Sequence, residues 1–141
     1  MSAKDAVALV VQVGPKRAER VFGLPLGGDR FRLASIPFLA VGMSLGDVVT
    51  ASEGRVTDVV EKGGHATLRV RFTDFLSADE FQKFWPPFAA LGCVCESTSQ
   101  GLIAIDVPPR TDRSALAGLL APGRSAGDFA VEIADGAFEI L

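Results

Sequence analysis

The chain has one histidine, and it opens the stretch "HATLRVRFT", residues 65–73. Successive side chains of a strand alternate between faces. His65, Thr67, Arg69, Arg71 and Thr73 therefore share one side, and Ala66, Leu68, Val70 and Phe72 the other. An imidazole beside two guanidinium groups suits an anion. Arg69 and Arg71 could hold a carboxylate or phosphate bidentately, with His65 as the neighbour whose charge changes near neutral pH. The same row has a structural reading, in which the arginines pair with acids such as Asp106 and Glu132 and seal against a second layer. General-base catalysis by His65 needs a reacting group within reach, and no clear nucleophile stands beside it in the sequence.

Asp47, in "SLGDVV", has a catalytic-acid reading and a turn reading; Gly-Asp is ordinary turn chemistry, because the carboxylate bonds its own local backbone. "LPLGGDR" is glycine-rich but sits between strands and opens no helix, so it does not read as a phosphate cradle. "FQKFWPPF" gathers Phe81, Phe84, Phe88 and the single tryptophan around Pro86-Pro87. The phenylalanines fall at helical spacing and face a core. Trp85, next to the kink, falls partly off that face and is a candidate docking point for another protein. Cys93 and Cys95 alternate along a strand, about 6.5 Å apart at Cα, near the upper limit for a disulfide. Zinc would need four ligands, and there is one histidine with no further cysteine. The pair reads as two buried thiols in a reducing compartment. Walker, dinucleotide, metalloprotease and EF-hand signatures are absent, and no cofactor or metal is expected.

The elements that position these residues follow from periodicity. "AVALVVQV" is apolar and β-branched, a first strand. "AERVFGLPLGGDRFRLAS" is a hairpin signalled by Gly27-Gly28, then Asp29, and in its second arm Arg30 and Arg32 alternate with Phe31 and Leu33. "SEGRVTDVV" turns at Glu53-Gly54. The apolar run "RLASIPFLAVGMSLGDVV" holds Pro37, which cannot donate to a ladder. It reads as a segment crossing a barrel interior before turning a corner at Gly46-Asp47. "SADEFQKFWPPFAALG" opens with Ser77 and Glu80 at capping-box spacing, and Pro86 should stop or kink the helix near Trp85. "CVCES" and "GLIAIDV" are strands around a turn near Ser99–Gly101. "TDRSALAGLLAPG" is a helix capped by Thr111 or Asp112 and expected to stop at Pro122-Gly123. "DFAVEIAD" is a last strand. From residue 65 the order is β-α-β-β-α-β, a ferredoxin-like unit. Its usual strand order makes 65–73 central, between "GLIAIDV" and "FAVEI".

At 141 residues the chain fits one domain, or two small ones sharing a core. It can bury roughly 68–70% of its unfolded surface without a disulfide or metal. The net charge of −3 exerts no general pull on phosphate backbones or anionic lipid. RNA-binding sheets stack bases on exposed aromatics, and the row bearing Arg69 has none, so no nucleic-acid partner is expected. The N-terminal apolar run is too short for a signal-peptide core or for the ~20 residues of a membrane span. The expected location is the cytoplasm, away from membranes.

The pattern "RL-x₂-IPF-x-A-x-G-x-SLGDVV", followed by "GGHATLRV", "LGCVCE" and "GLIAIDVPP", resembles the bacterial domain-of-unknown-function family 4265 from about residue 7 to 135. The final "FAVEIADGAF" departs from that form. The resemblance implies the fold and a cytoplasmic bacterial setting, and it transfers no chemistry.

The sequence thus points to an α+β protein. A small β-barrel-like half (residues 5–62) packs on a ferredoxin-like half (63–141) as one compact unit. The leading functional expectation is a non-catalytic binding or regulatory protein that recognises a protein partner or a small anionic ligand through His65, Arg69, Arg71 or Trp85. An enzyme using His65, Arg69 and Asp47 at the junction of the halves is the alternative. An immunity or antitoxin-type inhibitor is a third.

Overall fold

The computed structural model describes residues 5–74, 76–97 and 101–136. Five strands close the barrel: β1 (Val7–Gly14), β2 (Arg17–Gly27), β3 (Arg30–Leu33), β4 (Val48–Ser52) and β5 (Arg55–Glu61). The hairpin turns fall at Gly28-Asp29, within the glycine-rich stretch marked in the sequence, and at Glu53-Gly54, as the sequence indicates. Closure is made where β1 meets β5, through the Val10 N–H on the Gly54 carbonyl at 2.8 Å. Alternation puts Leu9, Val11, Val21, Leu33 and Val49 inside.

The second half continues with β6 (Ala66–Phe72), α1 (Ala78–Phe84), α2 (Pro86–Ala90), β7 (Val94–Ser97), β8 (Leu102–Val107), α3 (Arg113–Ala126) and β9 (Phe129–Asp135). Its strands form a four-stranded antiparallel sheet in the order β7-β8-β6-β9, so β6 is central as expected. The protein is α+β, a closed barrel together with a ferredoxin-like half. Leu68 and Val70 of β6 and Ile103 and Ile105 of β8 pack with Phe88, Leu116 and Leu120 of the helices. Every residue of β8 is buried, which requires a layer on both faces. The helices supply one and the barrel side the other.

Local chemistry sets the helix ends. Ser77 and Glu80 complete a capping box. The helix breaks at Trp85 and restarts with Pro86 in the first turn of α2, where a missing N–H costs nothing. Asp112, not Thr111, caps α3, accepting from the Ala115 N–H at 3.0 Å. Thr111 instead turns its hydroxyl to the Leu91 carbonyl.

The structure corrects the sequence reading at two places. First, α3 does not stop at Pro122-Gly123; it runs to Ala126, and Gly127 in the left-handed conformation ends it. The Asp128 and Gly127 N–H groups bond the carbonyls of Gly123 and Arg124, satisfying the last turn. Gly123 also leaves room for Phe129: a Cβ there would lie 2.1 Å from the ring's Cε2. The packed ring and the satisfied carbonyls outweigh one missing proline donor. Second, the long apolar run does not simply cross the barrel. Ala40 and Met43 enter the barrel core, but Val41 is 63% exposed and Gly42 donates to the Ala134 carbonyl of β9. The segment is a non-strand layer between barrel and sheet. The strand's end beyond Gly136, and Ser99 in the expected turn, lie outside the described residues. Among the described residues, no helix is long and apolar enough to cross a membrane.

Gly118 and Gly123 occupy the same helix, yet alanine should act in opposite directions. Gly118→Ala meets nothing within 4 Å and should stabilise by about 0.5–1 kcal/mol through backbone entropy. Gly123→Ala must displace Phe129 and should cost about 1–3 kcal/mol. Urea unfolding of the two variants checks the signs.

Candidate functional site

Residues 34–47 carry many backbone polar groups and no ladder to receive them, so side chains must do so. Glu19 of β2 accepts from three successive N–H groups, those of Phe38, Leu39 and Ala40, the last at 3.0 Å. Successive N–H groups make a concave anion site, here filled by the protein's own carboxylate. Arg69 of β6 takes the other polarity. Its Nη1 donates to the carbonyls of Phe38 (3.1 Å) and Leu39 (2.8 Å), and its Nη2 to Glu132 of β9 at 2.7 Å. The Arg69 side chain is 11% exposed.

A second network holds the end of the same segment. The turn at Ser44–Asp47 closes through the Asp47 N–H on the Ser44 carbonyl. The Asp47 carboxylate, fully buried, accepts from the Ser44 N–H (2.9 Å), the Lys62 ammonium (2.6 Å) and the Gly63 N–H (2.7 Å). Lys62 also donates to Asp135 at 2.6 Å. Ser44 Oγ donates to Asp135 and lies 2.6 Å from Thr67 Oγ1. A serine hydroxyl has one proton, so Thr67 is the donor in the latter bond. Burial alone would lower the Lys62 pKa; the hydrogen bonds and charges of Asp135 and Asp47 outweigh it and hold it above the usual 10.5. A Cβ on Gly63 would lie 2.6 Å from the Gly46 carbonyl oxygen, so the close approach of these two chain segments depends on glycine.

His65 lies next to this network. Its Nδ1 is 2.9 and 3.0 Å from the two Asp106 oxygens, and its ring packs over Gly46. Asp106 is 1% exposed; burial raises its pKa, and the His65 hydrogen bond and charge oppose the rise. Cys93 is pushed up to about 11, by burial first and by the Asp106 charge second, so it is a neutral thiol and a poor nucleophile. Both cysteines are free; Cys93 is buried as the sequence indicates, whereas Cys95 is only half-buried.

The four residues singled out in the sequence do not converge. His65 pairs with Asp106, and Arg69 with Glu132 and the loop carbonyls. Asp106 stands opposite Thr67 in the ladder and reaches the histidine rather than an arginine. Arg71 is exposed, and its side chain has no hydrogen bond or ion pair among the described residues. Trp85 lies on the helix side of the sheet, half-buried and stacked at 5–6° between Phe81 and Phe88. Sequence reasoning missed Glu19, Ser44, Lys62 and Asp135. Glu19 stands within β2 among Arg17 and Arg20, and Lys62 follows Glu61 at the end of β5, with no local pattern that marks a partner 15 or more residues away.

Residues 19–131 match the family described as Domain of unknown function (DUF4265). The chain belongs to this family. Within that span lie Glu19, Asp47, Lys62, His65, Arg69 and Asp106; Glu132 and Asp135 follow it. The DUF4265 chain is also similar to a crystal structure of a hypothetical protein from Neisseria gonorrhoeae, with a TM-score of 0.77 and 17% identity over 95% of this chain and 97% of that one. At that identity the likeness is one of fold. No curated protein matches.

Two outcomes test the roles assigned to these charges. Arg69→Met leaves two loop carbonyls without a donor and should cost about 1–3 kcal/mol, whereas Arg71→Met should stay within about 0.5 kcal/mol of wild type. Thermal unfolding separates them. For Lys62 the folded pKa lies above the unfolded one, so its contribution is complete below the unfolded value and is lost as pH rises through the folded one. The stability gap between wild type and Lys62→Met should therefore be constant from pH 7 to about 9 and shrink above the ordinary lysine value. Urea titrations across that range read the gap.

Proposed function

We propose that this protein is a non-catalytic binding module that recognises another protein, working in a reducing, cytoplasmic compartment that suits its free thiols. The observation that carries this reading is the enclosure of Arg69: both terminal nitrogens are occupied by the protein's own carbonyls and carboxylate. An anion-binding or catalytic site needs free, convergent donors, and Arg71, left alone, does not make one. What remains on the helix side is the half-buried Trp85, stacked between Phe81 and Phe88, whose type is enriched at protein-binding hot spots.

One observation favours a second reading. An imidazole whose Nδ1 is oriented by a buried carboxylate has the arrangement of a general base, and the His65 side chain is 23% exposed. An enzyme acting through His65 is that reading.

The two are separated by one set of proteins. Wild type, Trp85→Leu and His65→Gln, each confirmed folded by circular dichroism, are used as bait in bacterial lysate, and bound proteins are identified by mass spectrometry. The binding reading expects a stoichiometric partner held by wild type and His65→Gln and lost, by tenfold or more in affinity, from Trp85→Leu. A metabolite turned over by wild type and not by His65→Gln would replace it with the enzyme reading.

A further inference from the structure

At the end of the sheet where β6 finishes and β9 begins, a cleft of about 250 Å³ is lined by Phe72, Leu76, Phe84 and Phe129, with Asp74, Glu80 and Asp128 completing it. The three phenyl rings pack edge to face, with centroids 5.2, 5.3 and 5.8 Å apart. This apolar floor is continuous with the helix that carries Trp85. The three polar lining residues are all acids, and none has an ion pair among the described residues.

We infer that this cleft docks an arginine side chain of the protein partner; the inference rests on the binding reading above and names the partner's chemistry. Size is the first argument. Small-molecule sites run to roughly 300–1,000 Å³, and this cleft is smaller, suited to one long side chain. Charge is the second. Three carboxylates around an aromatic floor select a cation that also has apolar length. Arginine meets both demands: its methylene stem lies along the phenyl and leucine surface, while the guanidinium takes carboxylates in a fork and stacks on rings. The backbone that carries two of the acids is also held. The Thr73 N–H bonds the Asp128 carbonyl at 2.9 Å and its hydroxyl the Gly127 carbonyl at 2.7 Å, tying the chain just past the end of β6, beside Asp74, to the turn that carries Asp128 before β9. Glu80 is held by the capping box, where it accepts from the Ser77 N–H. The Ser77 contacts keep its carboxyl below the ordinary range, and Lys83 is the cation that adds to this from the same helix.

The test uses the full chain and defined probes. The peptide acetyl-Gly-Leu-Arg-Leu-Gly-amide, and versions with Lys or Glu in place of Arg, are titrated while aromatic carbon-13 resonances are followed by NMR. The expected result is saturable shifts of the Phe72, Phe84 and Phe129 rings with the Arg peptide alone. Binding should weaken about three- to tenfold in the Asp74→Asn, Asp128→Asn double variant, and again when salt rises from 50 to 500 mM. Equal binding of the Lys peptide would overturn the choice of arginine. Equal binding of the Glu peptide, or an unchanged affinity in the double variant, would overturn the charge selection and leave a plain apolar groove. An absence of ring shifts alongside a Trp85-dependent partner would sink the cleft while the binding module stands. Arginine-selective ring shifts with no partner captured would do the reverse.

Discussion

The Leu39 peptide is held from both sides by opposite charges: Glu19 takes its N–H and Arg69 its carbonyl. Irregular backbone between two packed layers is expensive unless each polar group finds a partner. Here one carboxylate from the barrel and one guanidinium from the sheet meet that cost for Phe38, Leu39 and Ala40. Because these two charges belong to different halves, satisfying the loop also joins the halves. The apolar side chains of the segment then serve as mortar, with Ala40 and Met43 in the barrel core and Gly42 bonded to β9.

The second network sets position more than it adds stability. Buried ion clusters gain little net free energy over apolar packing, since desolvation offsets attraction, but breaking one is costly. Asp47, Lys62 and Asp135 come from the turn before β4, the end of β5 and the end of β9, and two acids share one ammonium. A shift of the barrel on the sheet would pull Lys62, which moves with Asp47, away from Asp135. The close approach of Gly63 to Gly46 fixes the chain where it leaves the barrel. The junction is therefore a registered joint, and β8 is buried on both faces because of it.

That joint limits which polar groups stay free. Polar groups able to bind or react are drawn into it, from Arg69 to the Ser44 hydroxyl, and His65 is packed beside it. The opposite end of the sheet has no such duty. Its aromatic rings, at the edge of the packed helix and sheet layers, line a cleft with three carboxylates, and the proposed binding chemistry is placed there.

The strands, the capping box, the helix break at Trp85 and the Asp112 cap were legible in the sequence because each depends on residues within a few positions of one another. The facing of "HATLRVRFT" was legible for the same reason, since a period of two needs no knowledge of the partner. The end of α3 was not: it turned on Phe129, six residues past Gly123, finding space under the helix. Nor were the partners of the candidate site. Asp106 and Glu132 were both foreseen near the arginines, yet register gave Asp106 to His65 and left Glu132 to Arg69. Ser44 meets Asp135 across 91 residues. By itself the sequence determined the elements and the faces they present, because those follow from local hydrogen bonding and periodicity. Only the tertiary structure decided which charges were spent on the joint and which stayed free, because an ion pair is chosen by distance in space, and burial makes that choice binding.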